Sequence, residues 1–320
     1  MFKLFTPLGM KIIKTILPLA LGGFLVWYSL SKVSLDTLLQ YFKNANYWWI
    51  ALGLFFGVLS HLSRAYRWKF LLEPLGYKPD FGNSTMAVLV AYLVNLTIPR
   101  AGEVFRATVM TTYEDIPFEK GFGTIVAERI ADLIMMLIII SITLLIQFDF
   151  IWELLTKDFN PVKSIISLLL SVGFFVGLFL YIKKGKSKFA LKIKKFFLGL
   201  KDGVLSIFKM KNKWAFIFHT VFIWGMYVAM FWATIPAVNG LEVPVGGVLI
   251  GFIAGGLSIA ATNGGVGLYP VAVASALALF GVDKITGNAF GWIMWTAQTA
   301  MIIVFGGLAF LLLPVVNKNK

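Results

Sequence analysis

The segment IPRAGEVFR, residues 98–106, interrupts a long apolar region with Pro99, Gly102 and three charged side chains. These charges are Arg100, Glu103 and Arg106. A charge at membrane depth costs roughly 2.5–3.5 kcal/mol on insertion scales, and it persists mainly where it pairs with another charge or lines a polar cavity. Contact with lipid therefore does not explain this segment, which becomes the first candidate for a functional site.

The composition around that segment is typical of an integral membrane protein. Apolar residues make up 59% of the 320 residues and charged residues only 14%, and the mean hydropathy is +0.84. The apolar run 12–30 is too long for a signal-peptide core and is expected to stay as a signal anchor. Cysteine is absent, which excludes disulfides, thiolate nucleophiles and cysteine-based metal sites. His61 and His219 lie in apolar helical runs and are predicted to be packed or interfacial side chains.

Six apolar runs are long enough to cross a hydrocarbon layer of roughly 30 Å. They lie near 11–31, 46–63, 124–147, 162–182, 214–236 and 287–314. The bias of lysine and arginine orients them. The N-terminal lysines, the basic stretch after residue 63, the lysine-rich segment 183–213 and the lysines at the C-terminal end are all predicted to be cytoplasmic.

Two further apolar regions, 82–112 and 246–281, are each interrupted near the middle. The first must begin and end in the cytoplasm, because otherwise the span at 124–147 would run in the wrong direction. The same parity argument makes the second region begin and end outside. As helices, the arms 83–99 and 246–260 would be about 25 and 22 Å long, short for a full crossing. Both regions are therefore predicted to be re-entrant helical hairpins whose tips meet a polar interior.

The predicted fold is an all-α polytopic membrane protein, with six full transmembrane helices and two re-entrant hairpins in a single membrane domain over residues 1–320. Residues 1–147 and 148–320 would form the halves of an inverted-topology repeat, with a substrate site near the midplane. Eight ordinary transmembrane helices are the alternative. Segment 183–213 carries eleven lysines and one acid. It is predicted to be a cytoplasmic amphipathic helix attracted to anionic lipids rather than to nucleic acid.

Three groups of residues could contact a substrate. At the first hairpin tip, Asn95 precedes the charged segment, and an arginine fork there matches phosphate geometry. A salt-bridged turn that only holds the hairpin is the alternative. Glu128 and Asp132 share one helix face beside Arg129, where they would supply counter-charge or form an interfacial cap.

The second hairpin tip is rich in glycine. Its glycines would expose backbone amides to an anionic head group, although close helix packing also explains glycine in membrane helices. With two arginines of the basic stretch after residue 63 added to these three groups, the candidate substrate-binding residues are Arg64, Arg67, Asn95, Arg100, Glu103, Arg106, Glu128, Arg129, Asp132, Asn263, Gly264, Gly265 and Gly267.

These motifs together resemble the transmembrane domain of lysylphosphatidylglycerol synthases and its stand-alone, flippase-like relatives. The resemblance rests on Arg64 to Trp68, the block from Asn95 to Arg106, Glu128-Arg129 with Asp132, and Gly264 to Gly267. The family often has Pro before the late glycines and Glu after them, where this chain has Asn263 and Pro270. The full synthases carry a soluble aminoacyl-transfer domain after this region, and we expect neither that domain nor lipid aminoacylation for this chain.

The resemblance implies a protein of the inner (cytoplasmic) membrane that moves or presents an anionic phospholipid or lipid-linked head group between leaflets. We therefore predict a lipid translocase that is not an enzyme, uses no cofactor and has both termini in the cytoplasm. Its predicted partners are membrane phospholipids, with an envelope-biosynthesis protein and a second copy of the chain left open. The alternatives are a transporter of small organic anions and a non-transporting partner of a lipid or envelope-polysaccharide synthesis enzyme.

Overall fold

The computed structural model describes residues 23–31, 33–98, 100–156, 191, 210–262 and 264–318. The regular elements in this part of the chain are helices. The α-helices are α1 (Leu35–Asn44), α2 (Tyr47–Leu72), α3 (Phe81–Thr97), α4 (Ala101–Tyr113), α5 (Phe118–Ile146), α6 (Phe148–Thr156), α7 (Lys213–Thr234), α8 (Val245–Ala261), α9 (Leu268–Ala278) and α10 (Lys284–Val316). Residues 23–31 are also helical. The predicted span 162–182 and most of segment 183–213 lie outside the described residues.

Three of these helices are long and apolar enough to cross a membrane, namely Phe118–Ile146, Lys213–Ala237 and Lys284–Val316. A fourth candidate is the pair Leu35–Asn44 and Tyr47–Leu75, which is bent by 85°. The helices α3, α8 and α9 are apolar but shorter. The described chain is therefore an all-helical, multi-pass membrane protein, which confirms the coarse prediction of the fold class.

The second predicted span ends later than expected. The sequence placed its end at residue 63, whereas α2 continues to Leu72. Arg64 and Arg67 are consequently inside the helix and are buried, with exposures of 2% and 0%. The helix continues because its last turns also bury Trp68 and Leu72 completely.

The chain forms two compact units. One comprises Met1–Val126 and Trp214–Lys320, and the other comprises Ala127–Lys213. The helix α5 begins in the first unit and continues into the second. Its N-terminal turn packs in the first unit, where Gly121 lies against Ala107 of α4.

In the first unit, α3 and α4 form a hairpin whose two ends lie side by side. The backbone N–H of Asp80, the N-cap of α3, donates to Oε2 of Glu114, the C-cap of α4, at 3.0 Å. Asn83 also donates to the Glu114 carboxylate. Asn83 and Asn317 exchange side-chain amide hydrogen bonds of 2.8 and 2.7 Å. The base of this hairpin therefore meets the C-terminal end of α10.

The helices α8 and α9 form a second hairpin, which packs at the other end of α10. Added Cβ atoms on Gly247 and Gly251 would contact Phe280 and Leu277, so the start of α8 lies beside the end of α9. Gly287, near the start of α10, packs against Ala274 of α9. The base of the second hairpin thus lies near the N-terminal end of α10, opposite the base of the first.

Candidate functional site

The two hairpin tips meet beside the middle of α10. A Cβ added to Gly264 would lie 3.4 Å from Cδ2 of Leu96, which is in the last turn of α3. The indole Nε1 of Trp295 donates to the carbonyl oxygen of Gly264 at 2.8 Å. Gly264 and Gly265 have φ angles of 68° and 81°. Residues with a side chain rarely adopt such positive angles, so this turn depends on glycine.

The first hairpin tip holds an arginine in the same unusual conformation. Arg100 is the N-cap of α4 and has a φ of 62°, whereas Gly267, the N-cap of α9, has a φ of 68°. A left-handed conformation costs a residue with a Cβ about 1–2 kcal/mol. The Arg100 side chain is exposed and makes no hydrogen bond or ion pair with the described residues. Its place at the tip is therefore not explained by local backbone preference.

Asn95 and Gly102 hold the two arms of this tip together. The side-chain oxygen of Asn95 accepts from the backbone N–H of Gly102 at 2.8 Å. A Cβ on Gly102 would overlap the carbonyl oxygen of Ala91, so glycine permits this close approach of α3 and α4. Pro99, at the turn itself, lies outside the described residues.

Three arginines of the first unit are buried side chains, and we call Arg64, Arg67 and Arg106 the arginine cluster. Their exposures are 2%, 0% and 2%. Arg106 of α4 stacks on the ring of Trp68 of α2, with its Cζ 3.8 Å from the ring centroid. Arg67 donates to Oγ1 of Thr220 at 2.9 Å. Two arginines of the cluster therefore belong to α2 and one to α4, the second arm of the first hairpin, and the hydroxyl partner of Arg67 belongs to α7.

Two tyrosines extend this polar region. Arg64 donates to the Tyr227 hydroxyl at 3.5 Å, and this hydroxyl lies 3.3 Å from that of Tyr92. The imidazole of His61 packs on Tyr92 with ring centroids 4.5 Å apart. Nδ1 of His61 is buried and has no hydrogen-bond partner among the described residues. Hydroxyl groups of α3 and α7 thus lie beside the cluster.

Both histidines are packed, as the sequence predicted. His61 is 7% exposed, and Nδ1 of His219 lies 2.8 Å from Oγ of Ser63. Among the described residues there is no group of three or more His, Asp or Glu side chains that could hold a metal ion.

Sequence reasoning missed Tyr92, Thr220 and Tyr227. The signal that could have found them is a hydroxyl-bearing side chain within an apolar span, since such a group needs a partner in the protein interior. In the sequence Tyr92 and Tyr227 have apolar neighbours and Thr220 follows His219, so nothing local distinguishes them from residues at a membrane interface.

The acidic residues of α5 that the sequence singled out, Glu128 and Asp132, belong to the second unit. Glu128 is 0% exposed and Asp132 is 7% exposed. Nη1 of Arg129 lies 3.4 Å from Oδ2 of Asp132, and the Arg129 side chain is 42% exposed. The two carboxylates, four residues apart, are therefore both buried on the shared helix face that their spacing predicted.

The predicted site residues thus have different placements. The structure brings Arg64, Arg67 and Arg106 together through Trp68 and the α2 helix, and it places Glu103 one helical turn before Arg106. Asn263 lies outside the described residues. Whether any of these side chains binds a substrate stays a prediction.

The fold and this interior define a polytopic helical membrane protein with buried cationic side chains. Residues 15–315 match the family described as "Lysylphosphatidylglycerol synthase TM region". The chain belongs to this family, which confirms the resemblance inferred from its motifs.

Two curated relatives match shorter segments. The UPF0104 membrane protein MJ1595 of Methanocaldococcus jannaschii is 30% identical over 125 residues, which are 38% of this chain and 37% of that protein. Glycosyltransferase AglD of Haloferax volcanii is 36% identical over 78 residues, which are 24% of this chain and 12% of that protein. The matched segments therefore span well under two thirds of either relative. No solved structure gives a significant match.

Proposed function

We propose that this protein is a lipid translocase of the cytoplasmic membrane, which moves or presents an anionic phospholipid or lipid-linked head group between the leaflets. The observation that carries the proposal is the burial of the arginine cluster inside a unit built from apolar helices. Ionisable side chains are costly inside a membrane, so those that occur there face the protein interior and often mark a substrate pathway. A guanidinium matches phosphate in geometry and is weakly hydrated, so it suits a head group that must shed water.

The two hairpins are proposed to be re-entrant. The hydrogen bonds from Asp80 and Asn83 to Glu114 support this for the first hairpin, because they hold its two ends at one level. The contact of Gly247 with Phe280 supports it for the second. Arms of 17 residues, such as α3 and α8, are about 25 Å long, which is short for a full crossing.

An inverted repeat with halves 1–147 and 148–320 is supported by a constant spacing between corresponding helices. The starts of α2 and α7, α3 and α8, α4 and α9, and α5 and α10 are 166, 164, 167 and 166 residues apart. The fourth residue of α5, Gly121, packs on the seventh of α4, Ala107. The fourth residue of α10, Gly287, packs in the same way on the seventh of α9, Ala274.

The repeat proposed here is unequal in charge. At a spacing of 167 residues, Arg100 corresponds to Gly267, Glu103 to Pro270 and Arg106 to Val273. The tip and the second arm of the first hairpin thus supply charge to the pathway, and the second hairpin supplies a glycine-rich turn. In this proposal Arg100 at the tip and the arginine cluster bind the phosphate, and Glu103 balances their charge. Separation of the tips at Gly264 opens the pathway to the other face. The roles assigned to Glu128, Arg129 and Asp132 stay predictions.

Leaflet exchange in proteoliposomes tests the proposal. Arg100→Ala removes an exposed charge without opening a cavity, and it is combined with Arg106→Ala, with Lys120→Ala as a control at an exposed cation outside the tips. We expect the double variant to slow exchange of a labelled anionic phospholipid at least about tenfold, which corresponds to roughly 1.4 kcal/mol. Unchanged exchange by a monodisperse double variant would contradict the assignment of these residues.

Cysteine accessibility tests the topology separately, because the native chain has no cysteine. Single cysteines at Tyr113 and Lys120 should react with a membrane-impermeant reagent only from the cytoplasmic face. Labelling from the outside would replace the first hairpin with an ordinary crossing.

The second candidate function is a non-transporting membrane partner of a separate lipid or envelope-polysaccharide synthesis enzyme. The name of the Haloferax volcanii relative, a glycosyltransferase, favours this candidate. In either case we propose that this chain is not itself an enzyme. Neutralising the lysines of segment 183–213 separates the two candidates. If the neutralised variant loses function while the Arg100 and Arg106 variants keep it, docking is favoured over transport.

A further inference from the structure

The short helix α1 has three distinct faces. Leu38, Tyr41 and Phe42 share one face that packs on the protein, and Leu38 is only 4% exposed. Leu35 and Leu39, one helical turn apart, form an adjoining apolar face that is 62% and 48% exposed. The third face is polar and exposed.

The polar face contains Asp36, Gln40 and Lys43, which recur at helical spacing. An apolar strip between a protein contact and a polar face is the pattern of a helix that lies in a membrane surface. A helix surrounded by water would gain nothing from exposing Leu35 and Leu39 side by side.

The orientation of α1 agrees with this pattern. It is bent by 85° from the apolar helix that begins at Tyr47, so α1 runs along the membrane plane when that helix crosses the membrane. The bend is followed by Tyr47 and Trp48, which are 60% and 84% exposed. Exposed tyrosine and tryptophan at a helix end are enriched at the boundary between head groups and acyl chains.

Specific contacts hold α1 in that orientation. The hydroxyls of Tyr41 and Thr286 are 2.9 Å apart, and Leu38 packs in a cluster with Ala289 of α10. The backbone N–H of Asn46, after the end of α1, donates to the carbonyl oxygen of Ala237 at 2.9 Å. These contacts leave Leu35 and Leu39 turned away from the protein.

We propose that α1 is a membrane-surface helix whose Leu35 and Leu39 bind the phospholipid interface. The helix anchors the loop between the first two spans at a defined depth, with Asp36, Gln40 and Lys43 in water. The inference rests on the helical, multi-pass architecture and not on lipid transport, so it stands or fails independently of the proposed function.

Site-directed spin labelling of the full chain in nanodiscs of phosphatidylethanolamine and phosphatidylglycerol tests this. Single cysteines replace Leu39 and Gln40, and Leu35→Cys with Asp36→Cys repeats the comparison one turn away. We expect the labels at 35 and 39 to collide several-fold more often with dissolved oxygen than with a water-soluble nickel chelate, and the labels at 36 and 40 to show the reverse.

Two results would overturn the inference. Equal access of the nickel chelate to positions 39 and 40 would place α1 in water. Exclusion of both reagents from position 39, as expected for a Leu38→Cys control inside the protein, would mean that another protein surface covers the apolar strip. Circular dichroism of each labelled variant confirms that the helical fold is retained.

Discussion

Replacing Arg100 with glycine should separate the stability of the first hairpin tip from its function. Arg100 has a φ of 62°, and relief of this left-handed conformation is worth about 1–2 kcal/mol. Glycine also lowers the stability by roughly 0.5–1 kcal/mol, because it gives the unfolded chain more conformational freedom. Because the Arg100 side chain is exposed and makes no ion pair with the described residues, little else is lost. The net expectation is a variant as stable as the native chain, or more stable by up to about 1.5 kcal/mol.

The assay pairs thermal unfolding in detergent with leaflet exchange in proteoliposomes. Arg100→Gly and Arg100→Ala should both slow exchange of an anionic phospholipid, since both remove the guanidinium. Only Arg100→Gly should also remove the free-energy cost of the left-handed backbone conformation, because alanine still carries a Cβ. The matched control is Gly267→Ala at the corresponding position of the second hairpin, where φ is 68° and an added Cβ would overlap the backbone of Leu25 and Val26. That variant should lose stability.

Either of two results would refute this reasoning. If Arg100→Gly unfolds at a much lower temperature than the native chain, the arginine stabilises the tip, and its left-handed conformation does not lower the stability of the native chain. If Arg100→Gly keeps native exchange, the guanidinium has no part in moving the lipid, and the strained conformation serves another purpose.

Further substitutions test the packing around the site. Gly102→Ala should cost more than about 2 kcal/mol, because its Cβ would overlap the Ala91 carbonyl oxygen, whereas Gly123→Ala, with nothing within 4 Å, should stabilise by about 0.5–1 kcal/mol in the same unfolding assay. Tyr227→Phe removes the hydroxyl near Arg64 and should lower the free energy of unfolding by about 1–3 kcal/mol, a value that an unchanged melting temperature would contradict. Asn317→Ala breaks two amide hydrogen bonds at the base of the first hairpin and should increase hydrogen exchange there, whereas exchange confined to the C-terminal end would show that the base is held by other contacts.

Local signals in the sequence predicted the positions of both hairpins well. The interrupted regions 82–112 and 246–281 correspond closely to α3–α4 and α8–α9. Proline, glycine and charge interrupt a helix through local effects that do not depend on the tertiary environment. The end of α2 was predicted too early. The apolar span stops at Arg64, but a charged residue does not show whether the helix also stops or continues where neighbouring helices bury it.

Other features depended on residues far apart in the chain. Arg64 meets Tyr227 across 163 residues, and Tyr92 meets the same hydroxyl across 135 residues. No periodicity in either segment predicts that pairing, because it is decided by how the helices pack. The orientation of α1 was not predicted for a similar reason, since its 85° bend is set by contacts with α10 and with the helical turn that ends at Ala237.

The sequence by itself determined that this protein is helical and crosses the membrane several times, and its motifs resembled those of a known family. These features could be predicted because apolar length, helix breaks and charge bias act over a single turn or span. Only the tertiary structure decided which charges are buried together and where the two tips meet. Those outcomes depend on close approaches such as Gly306 against Leu89 and Leu93, where the absence of a side chain lets α10 and the first hairpin touch.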